Sequence, residues 1–217
     1  MKRKPKVLML ASVASMIDQF NLPNIRLLLN MGYEVHVACN FREGNTCDKK
    51  RVRTLIKILR GMQVFLHQWD CPRAVCPVKN GFLAYRQLLG LMGRVRFAWI
   101  HCHSPVGGAL ARLAAHRNGI PVLYTAHGFH FYKGAPIKNW LLYYPVEKLL
   151  SLWTDMLVTV NREDYRMAKR HLYAKQVCWI PGIGVDSSRF RALGDADRAR
   201  IRERICKKYR IAQDAVC

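Results

Sequence analysis

Four of the eight histidines in this 217-residue chain lie in two short stretches, HCHSPVGG at 101–108 and YTAHGFHFY at 124–132. Clustered histidines can bind a metal, take part in catalysis, or serve as hydrogen-bonded core groups. A zinc site needs three or four ligands and usually a carboxylate beside them. Neither stretch contains HExxH, a paired Cys-x-x-Cys or a neighbouring aspartate. No metal is therefore expected, which leaves a catalytic or binding site and a structural role as alternatives.

The elements that position these histidines follow from the hydrophobic pattern. Short apolar runs rich in β-branched residues alternate with longer helical patterns, which predicts βαβ units and a parallel sheet. The predicted strands are 7–13, 34–39, 63–68, 97–103, 121–126, 156–160 and 177–181. The predicted helices lie near 18–31, 48–61, 80–93, 107–118, 139–153 and 163–174, with a basic helix at 197–210. We therefore expect an α/β fold with a parallel sheet of about seven strands.

In an open parallel sheet, ligands bind in the crevice beyond the carboxyl ends of the strands. FAWIHCH places His101 and His103 at the end of the fourth strand, and His127 ends the fifth, followed by Gly128 and His130 in a loop. This placement favours a ligand site. A structural role is an equal alternative for His101 and His130, and His127 is the strongest candidate for a function.

Two glycine-containing turns also follow predicted strands. Gly107 and Gly108 open a helix, so backbone amides and the positive helix end could hold an anion, although a plain tight turn explains the pair equally well. The stretch IPGIGVDSSRF at 180–190 forms another turn after a strand, and its backbone can approach a ligand or a neighbouring domain.

The charge balance is strongly basic, with 36 lysines and arginines against 14 acidic residues, a net charge of +22. Such a field attracts nucleic acid, an acidic membrane surface or a phosphorylated small molecule. No zinc finger or ribonucleoprotein motif is present, and the aromatic residues lie in apolar runs, so nucleic acid is not expected. Cys71 and Cys76 lack the second pair that a zinc ribbon needs.

Neither export nor a membrane span is expected. The basic start MKRKPKVLML is not followed by a cleavage site, and no window of 18 apolar residues exists. The cysteines should therefore stay reduced in the cytoplasm, and any contact with the inner face of the cell membrane should be peripheral. Basic clusters at 2–6, 49–60 and 198–210 and the aromatic run NWLLYYPVEKLLSLW are candidates for that contact, and a buried, proline-kinked helix is the alternative for the aromatic run.

Taken together, residues 6 to about 190 resemble the N-terminal half of glycosyltransferase family 4, in particular its bacterial members of capsular and extracellular polysaccharide synthesis. The resemblance is carried by LLLNMGYEVHVAC, FAWIHCHSPVGGALARLAA, VLYTAHGFHFYKGAP, NWLLYYPVEKLLSLWTDMLVTVNREDYRMAK and IPGIGVDSSRF. The family contains retaining, nucleotide-sugar-dependent enzymes with a two-domain B-type fold. The first-strand loop, ASVASMIDQFN, departs from the family pattern because it lacks a glycine pair.

The resemblance implies a Rossmann-like acceptor domain at 1–190, with helices on both faces of its sheet, and a linker and the start of a donor-binding domain at 191–217. It also implies metal-independent transfer from a nucleotide sugar to a sugar or lipid-linked sugar, without cofactor, by an enzyme of which this chain alone is inactive. His127 would be the catalytic residue that reaches the transferred sugar. The implied substrate-binding residues are Ser12, Ser15, Gln19, His103, Ser104, Gly107, Gly108, Gly128, His130, Asn161, Gly182 and Gly184.

Three alternatives remain at this point. The chain could be a catalytically inactive, truncated domain that binds an acceptor or a partner. It could be a basic nucleic-acid-binding module, or a sugar-nucleotide epimerase, which also binds nucleotide sugars between two Rossmann-like domains.

Overall fold

A computed structural model describes residues 4–73, 78–184, 192–212 and 215. The chain divides into two compact units, Met1–Ile183 and Gly184–Cys217. The first unit contains one parallel sheet of seven strands in the order β3-β2-β1-β4-β5-β6-β7. The strands are β1 (Lys6–Val13), β2 (Glu34–Asn40), β3 (Phe65–Gln68), β4 (Trp99–His103), β5 (Val122–Ala126), β6 (Met156–Thr159) and β7 (Gln176–Trp179).

Helices connect the strands and cover both faces of the sheet. They are α1 (Ala14–Met16), a π-helical turn (Ile17–Asn21), α2 (Leu22–Asn30), α3 (Lys49–Gly61), α4 (Val78–Arg94), α5 (Pro105–Arg117), α6 (Ile137–Ser151) and α7 (Arg162–His171). The predicted α/β fold, a Rossmann-like parallel sheet of seven strands with helices on both faces, is confirmed.

The core has two layers because alternate residues of a buried strand point to opposite faces. On β1, Leu8 and Leu10 pack in the layer that includes α4 and α5, and Val7 and Met9 pack in the layer that includes α2 and α3. Each such fully buried side chain stabilises the fold by about 1.5–3 kcal/mol. The continuous apolar runs of the sequence are therefore the direct signature of this double burial.

The first predicted helix, near 18–31, differs from the structure. The helical region begins at Ala14, contains the π-helical turn, and continues as α2. Pro23 lies in the first turn of α2 and has no N–H to donate to the carbonyl of Gln19. The missing bond allows the preceding turn to widen, and such π-bulges are frequent at functional sites.

The second unit contains α8 (Asp195–Tyr209), a helix with acidic residues in its first turn and lysines in its last, as the helix dipole favours. The side chain of Cys206 in α8 is buried, and its Sγ lies 3.9 Å from the carbonyl oxygen of Ala212. The unit boundary falls at Ile183 and Gly184, and the assignment of 191–217 to the start of a donor-binding domain stays a prediction. Cys76, and the part of the stretch IPGIGVDSSRF that contains Asp186, lie outside the described residues.

Candidate functional site

The crevice at the carboxyl ends of β1 and β4 is where the strand order of the sheet reverses. In doubly wound sheets, ligands bind at this switch point. Ser12 near the end of β1 and Ser104 directly after β4 meet there, with their Oγ atoms 2.7 Å apart. The backbone N–H of Ser12 also donates to Ser104 Oγ over 3.3 Å. Two predicted site residues that are 92 positions apart in the chain are thus brought into contact.

Ser104 has a positive φ of 68°, which is uncommon outside glycine and costs on the order of 1–3 kcal/mol. The strained residue directly precedes α5 and is held by its hydrogen bonds to Ser12. Strain of this kind tends to occur at ligand sites, which agrees with the position of Ser104 in the crevice.

The glycine pair at the start of α5 allows a close approach of helix and sheet. A Cβ on Gly107 would lie 2.7 Å from Ser12 Oγ and 2.8 Å from Ser104 Oγ. A Cβ on Gly108 would lie 2.6 Å from Cε2 of Tyr124 on β5. Both glycines therefore have a packing role that brings the N-terminus of α5 to the crevice, and their contact with a substrate stays a prediction.

Three histidine rings form a row from the interior of β4 to the end of β5. His101 contacts Thr125 through a 2.8 Å hydrogen bond between Nε2 and Oγ1, and its ring centroid is 4.1 Å from that of His103. His103 Nδ1 is 3.2 Å from His127 Nε2. His101 and His103 are only 9% and 2% exposed, whereas His127 is half-buried. Of the row, His127 alone reaches the crevice.

Burial keeps these rings neutral. It lowers the pKa of His101 to about 3 and the pKa of His103 well below 6.5, and it lowers the pKa of His127 as well. Among the residues that the structure describes, no group of three or more histidine, cysteine or acidic side chains is arranged to hold a metal ion. The row is therefore a set of neutral, hydrogen-bonded rings.

The loop after His127 is anchored to α7. Gly128 has a φ of 150°, which side chains rarely adopt, and Phe129 N–H donates to Asp164 Oδ2 over 3.2 Å. Asn161, a predicted substrate-binding residue, caps α7: its Oδ1 accepts from Asp164 N–H and its Nδ2 donates to Asp164 Oδ2. The side chain of Asn161 is thus already engaged in holding the loop, and a contact with substrate stays a prediction.

Ser15 and Gln19 are tied to the loop that follows β2. Ser15 N–H donates to Asn45 Oδ1 over 2.9 Å, and Ser15 Oγ accepts from Thr46 N–H over 3.2 Å. Gln19 Nε2 approaches Thr46 Oγ1 at 3.5 Å on the surface. Ser15 and Gln19 follow Ser12 closely in the sequence, but their hydrogen-bond partners lie on the loop at 45–46.

The three remaining predicted residues are described by their own contacts and positions. The ring of His130 stacks on Tyr143 of α6, with centroids 4.4 Å apart. Gly182 follows β7 and donates its N–H to Val160 O over 3.1 Å. Gly184 begins the second unit. Substrate contacts by these three residues stay predictions.

A buried ion pair that was not predicted joins α5 to α6. Arg112 is fully buried and donates to both carboxylate oxygens of Glu147, over 2.6 and 3.1 Å, and its guanidinium lies 4.1 Å from the centroid of the Tyr124 ring. Burial opposes the charge, but the Glu147 carboxylate raises the pKa of Arg112 above its usual value. The one sequence signal was a lone arginine in the small-residue helix LARLAA.

Two further residues at the site, unlike Arg112, had no sequence signal. Phe20, on the π-helical turn, packs its ring 5.5 Å from that of His127. Cys71 Sγ approaches Ser12 Oγ at 3.5 Å. Both contacts depend on how distant segments meet, which residue spacing does not reveal.

This arrangement can be compared with known proteins. Residues 6–161 match the family model described as glycosyl transferase 4-like. The chain belongs to the glycosyl transferase 4-like family. The resemblance noted in the sequence is thereby confirmed for the N-terminal region of such proteins.

Two curated relatives extend the comparison. EpsD of Bacillus subtilis (strain 168), provisionally named a glycosyltransferase, is 43% identical over 204 residues, which cover 92% of this chain and 49% of EpsD. A second relative, from Escherichia coli, is named UDP-Gal:alpha-D-GlcNAc-diphosphoundecaprenol alpha-1,3-galactosyltransferase. It is 31% identical over 106 residues, 48% of this chain and 27% of that protein. The matched regions thus span about half or less of the length of these two relatives.

Among solved structures, Anabaena HepE in complex with UDP and glucose superposes with a TM-score of 0.59 at 11% identity, covering 93% of this chain and 50% of HepE. At this identity the likeness shows the fold alone. The sheet described above is therefore the one found in half of a larger, nucleotide-binding protein.

Proposed function

We propose that this chain forms the acceptor side of a retaining glycosyltransferase that transfers a hexose from a nucleotide sugar during synthesis of extracellular or capsular polysaccharide. One observation carries the proposal: His127 directly follows β5 beside the switch-point crevice, and its ring is half-buried and contacts His103 on its inner side. Family membership and the relationship to EpsD support the reaction class.

The chemistry requires stabilisation of negative charge on the leaving diphosphate. The N-terminus of α5, brought close by Gly107 and Gly108, offers backbone amides and a positive helix end at the crevice. Preorganised groups of this kind stabilise developing charge, so we propose that transfer needs no metal ion. His127, neutral because of burial, would hydrogen-bond the hexose without adding charge to the site.

We propose a lipid-linked sugar as the acceptor. An apolar cavity of about 290 Å³ lies between α5 and α6, and its lining includes Gly128, next to His127, and Leu142 and Val146 of α6. The name of the Escherichia coli relative specifies an undecaprenol-linked acceptor for that protein. A cavity that adjoins the loop after His127 and has a mostly apolar lining fits the first units of such a lipid.

The outer face of α6 supports contact with a membrane surface. The sequence allows this segment to be buried, but Leu141 is 73% exposed, and Ile137, Leu149 and Leu152, which do not line the cavity, are also exposed. The aromatic side chains of Trp140, Tyr143 and Tyr144 instead pack inward. No helix in the described parts of the chain is long and apolar enough to cross a membrane. We therefore propose peripheral binding through α6, at the inner face of the membrane.

The basic helix α3 is less suited to the same contact. Its apolar stripe packs in the layer that contains α2, whereas α6 packs in the opposite layer. A flat membrane that covers the outer face of α6 would leave the outer face of α3 in solution. We therefore assign the membrane contact to α6 and not to the basic cluster at 49–60.

The first test is the intact mass of the protein as its host makes it. A mass well above 25.1 kDa, roughly 40 kDa for a second domain of similar size, supports a two-domain enzyme. A mass of 25.1 kDa would favour the alternative, a domain that binds an acceptor and transfers nothing alone.

The second test is a transfer assay on the protein at its native length, with UDP-sugars and a polyprenyl-diphosphate-linked sugar. We expect transfer by the unaltered protein and by His171→Ala, a control in an exposed histidine at the end of α7. Absence of transfer with every sugar nucleotide tested would contradict the proposed reaction.

The acceptor can be tested with matched variants of α6. Leu142→Asp and Val146→Asp alter side chains that line the cavity and are about half exposed, whereas Leu141→Asp alters an exposed side chain that does not line it. We expect the first two to raise KM for the lipid-linked acceptor at least about tenfold, as loss of a buried apolar contact implies, with little change for a water-soluble acceptor. Equal effects on both acceptors would contradict a lipid site in the cavity.

Membrane binding is tested separately, by sedimentation with phosphatidylglycerol vesicles. We expect the double variant Leu141→Asp, Leu149→Asp to lose most binding, because both side chains lie on the exposed face of α6. The variant Lys49→Glu, Lys50→Glu, Arg53→Glu should retain more of it. The opposite ranking would assign the contact to α3.

A further inference from the structure

His103 is the least accessible member of the histidine row, and one of its ring nitrogens has no partner. Its Nδ1 is 3.2 Å from His127 Nε2. Its Nε2 is the one buried side-chain nitrogen or oxygen, among the described residues, without a hydrogen-bond partner. Buried polar atoms almost always have partners, so this atom restricts where the protons of the pair can be.

The pair contains one proton per ring. Burial lowers the pKa of both His103 and His127, so both imidazoles are neutral near neutral pH. A neutral imidazole has one N–H and one lone pair. The contact between the two rings therefore has two possible forms: either His103 donates from Nδ1, or His127 donates from Nε2.

The buried Nε2 atom of His103 decides between the two forms. If His127 donated, the proton of His103 would be on Nε2, as a buried N–H with nothing to accept it. If His103 donates, Nε2 carries only an unused lone pair. Orphaned buried N–H groups are rarer in proteins than under-used acceptors, so the second form is favoured.

The protonation of the second ring nitrogen of His127, Nδ1, follows from this form of the contact. Its Nδ1 has no hydrogen-bond partner among the described residues and is not one of their buried unpaired atoms, so it is accessible to solvent. With Nε2 accepting from His103, the proton of His127 must be on Nδ1. The ring thus presents an N–H to the crevice, while Phe20 packs against it.

We propose that His103 is a positioning residue that fixes His127 in the Nδ1–H tautomer, so that His127 offers a hydrogen-bond donor to an oxygen of the bound sugar or phosphate. This inference rests on the proposed function for the identity of the ligand, but the tautomer itself does not. It also defines what His127 does: the ring donates a hydrogen bond and does not act as a base at its accessible nitrogen.

The tautomer can be read directly by NMR on the unliganded protein labelled with ¹⁵N-histidine. Two-bond ¹H–¹⁵N correlations near neutral pH distinguish a protonated ring nitrogen from a bare one, and the variants His103→Asn and His127→Asn assign the signals. We expect both His103 and His127 to carry their proton on Nδ1. A proton on Nε2 of His127, a doubly protonated ring, or averaging between the two tautomers would overturn the proposal.

A matched pair of variants tests the positioning role. Asparagine at 103 keeps an N–H donor close to the position of Nδ1, whereas aspartate of nearly the same size offers only acceptor oxygens. We expect His103→Asn to keep the Nδ1–H signal of His127, and His103→Asp to move the proton to Nε2 or protonate the ring fully. In the transfer assay at native length, His103→Asp should lose about 100-fold or more in kcat, and His103→Asn markedly less.

The outcomes separate positioning from mere structure. If both variants lose activity equally and in proportion to their loss of Tm, His103 is a structural residue and the proposal fails. If His103→Asp does not fold, the spectrum of the unaltered protein still decides the tautomer. If the expected tautomer is found but no sugar is transferred, the proposed function fails and the positioning role stands.

Discussion

Two histidine pairs in this molecule share a ring-to-ring nitrogen contact but differ in their surroundings. His36 Nδ1 is 2.8 Å from His67 Nε2, between β2 and β3, and His103 Nδ1 is 3.2 Å from His127 Nε2, between β4 and β5. In the first pair, His36 Nε2 bonds the Glu34 carboxylate over 2.9 Å, and Glu34 also contacts Lys6. In the second pair, the corresponding nitrogen has no partner among the described residues.

Because of these different surroundings, the hydrogen bond between the two rings runs from the accessible ring to the buried ring in the first pair, and from the buried ring to the accessible ring in the second. The Glu34 carboxylate can only accept, so His36 must donate from Nε2 and accept at Nδ1 from His67. The accessible ring, His67, is left with a bare nitrogen. In the second pair the accessible ring, His127, is left with an N–H. A pair of histidines is therefore not in itself a functional signal, since the partner at its buried end and its position in the sheet determine what it presents.

The largest expected effect distinguishes the accessible ring of each pair. In the protein at its native length, His127→Ala should lower kcat about 100-fold or more, because a donor at the reacting centre is removed. His67→Ala should change kcat no more than a few-fold, because β3 lies at the edge of the sheet, away from the switch point. Steady-state kinetics with a Tm for each variant would check this, and equal losses in the two variants would remove the distinction.

The next effect disturbs the packing of α5 against Ser12 and Ser104, the residue that follows His103. Gly107→Ala places a Cβ 2.7 Å from Ser12 Oγ, and we expect a loss of about 1–3 kcal/mol in the free energy of unfolding. Gly93→Ala, in α4 with no atom within 4 Å of the added Cβ, is the control and should be neutral or stabilise by up to about 1 kcal/mol. Urea denaturation measures both. A Gly107→Ala protein as stable as the control would show that α5 can move away from β1.

The third expected effect is a loss of folding stability at acidic pH. Burial lowers the pKa of His67 to about 4 and the pKa of His101, which adjoins the second pair, to about 3, both from 6.5. The unfolded chain therefore binds protons that the folded chain does not. Stability is fully present above pH 6.5 and falls as the pH drops toward those values.

For a fully buried histidine this slope is at most about 1.4 kcal/mol per pH unit. Urea unfolding at several pH values below 6.5 should show a steeper loss for the unaltered protein than for His101→Asn, since His101 is almost fully buried. His67→Asn should flatten the curve less, because the half-exposed ring is partly solvated. If the free energy of unfolding fell equally with pH in all three proteins, these rings would be protonated in the folded protein as readily as in the unfolded chain.

The smallest effect targets the carboxylate of the first pair. Glu34→Gln replaces the acceptor of His36 and weakens the contact with Lys6, so we expect a loss of about 1 kcal/mol in the free energy of unfolding. Glu43→Gln, an exposed acidic residue without an ion pair in the described structure, is the control. The histidine NMR signals of His103 and His127 should not change. A shift of those signals would mean that the two pairs are coupled.

The strands and helices could be predicted from the sequence because each is determined mainly by residues that are close together in the chain. Strands buried on both faces are continuous apolar runs, and the start of α3 is marked by Asp48, whose side chain accepts from Arg51 N–H over 2.7 Å. His103 and His127 could be placed together because His103 ends β4 and His127 directly follows β5, its parallel neighbour. The ends of strands can thus be predicted from the sequence without any knowledge of side-chain contacts.

The remaining features depend on contacts between distant segments. The pairs His36–His67 and Arg112–Glu147 join residues 31 and 35 positions apart, and both depend on the register between elements. The wide turn at 17–21 depends on a backbone bond lost at Pro23. Periodicity gives the exposed face of a helix only relative to its neighbours, which is why the sequence left both an exposed and a buried α6 open.

The contact of Gly107 with Ser12 and Ser104 also determines how this site could be re-engineered. A mutant library that randomised every residue around the crevice would return few folded clones with a side chain at 107 or 108. Surface positions such as Gln19 and Thr46 carry no such steric limit beyond their single side-chain contact to each other and the backbone link of Thr46 to Ser15. Variation in ligand preference should therefore be sought on the loop side of the crevice, with the helix start kept as a fixed frame.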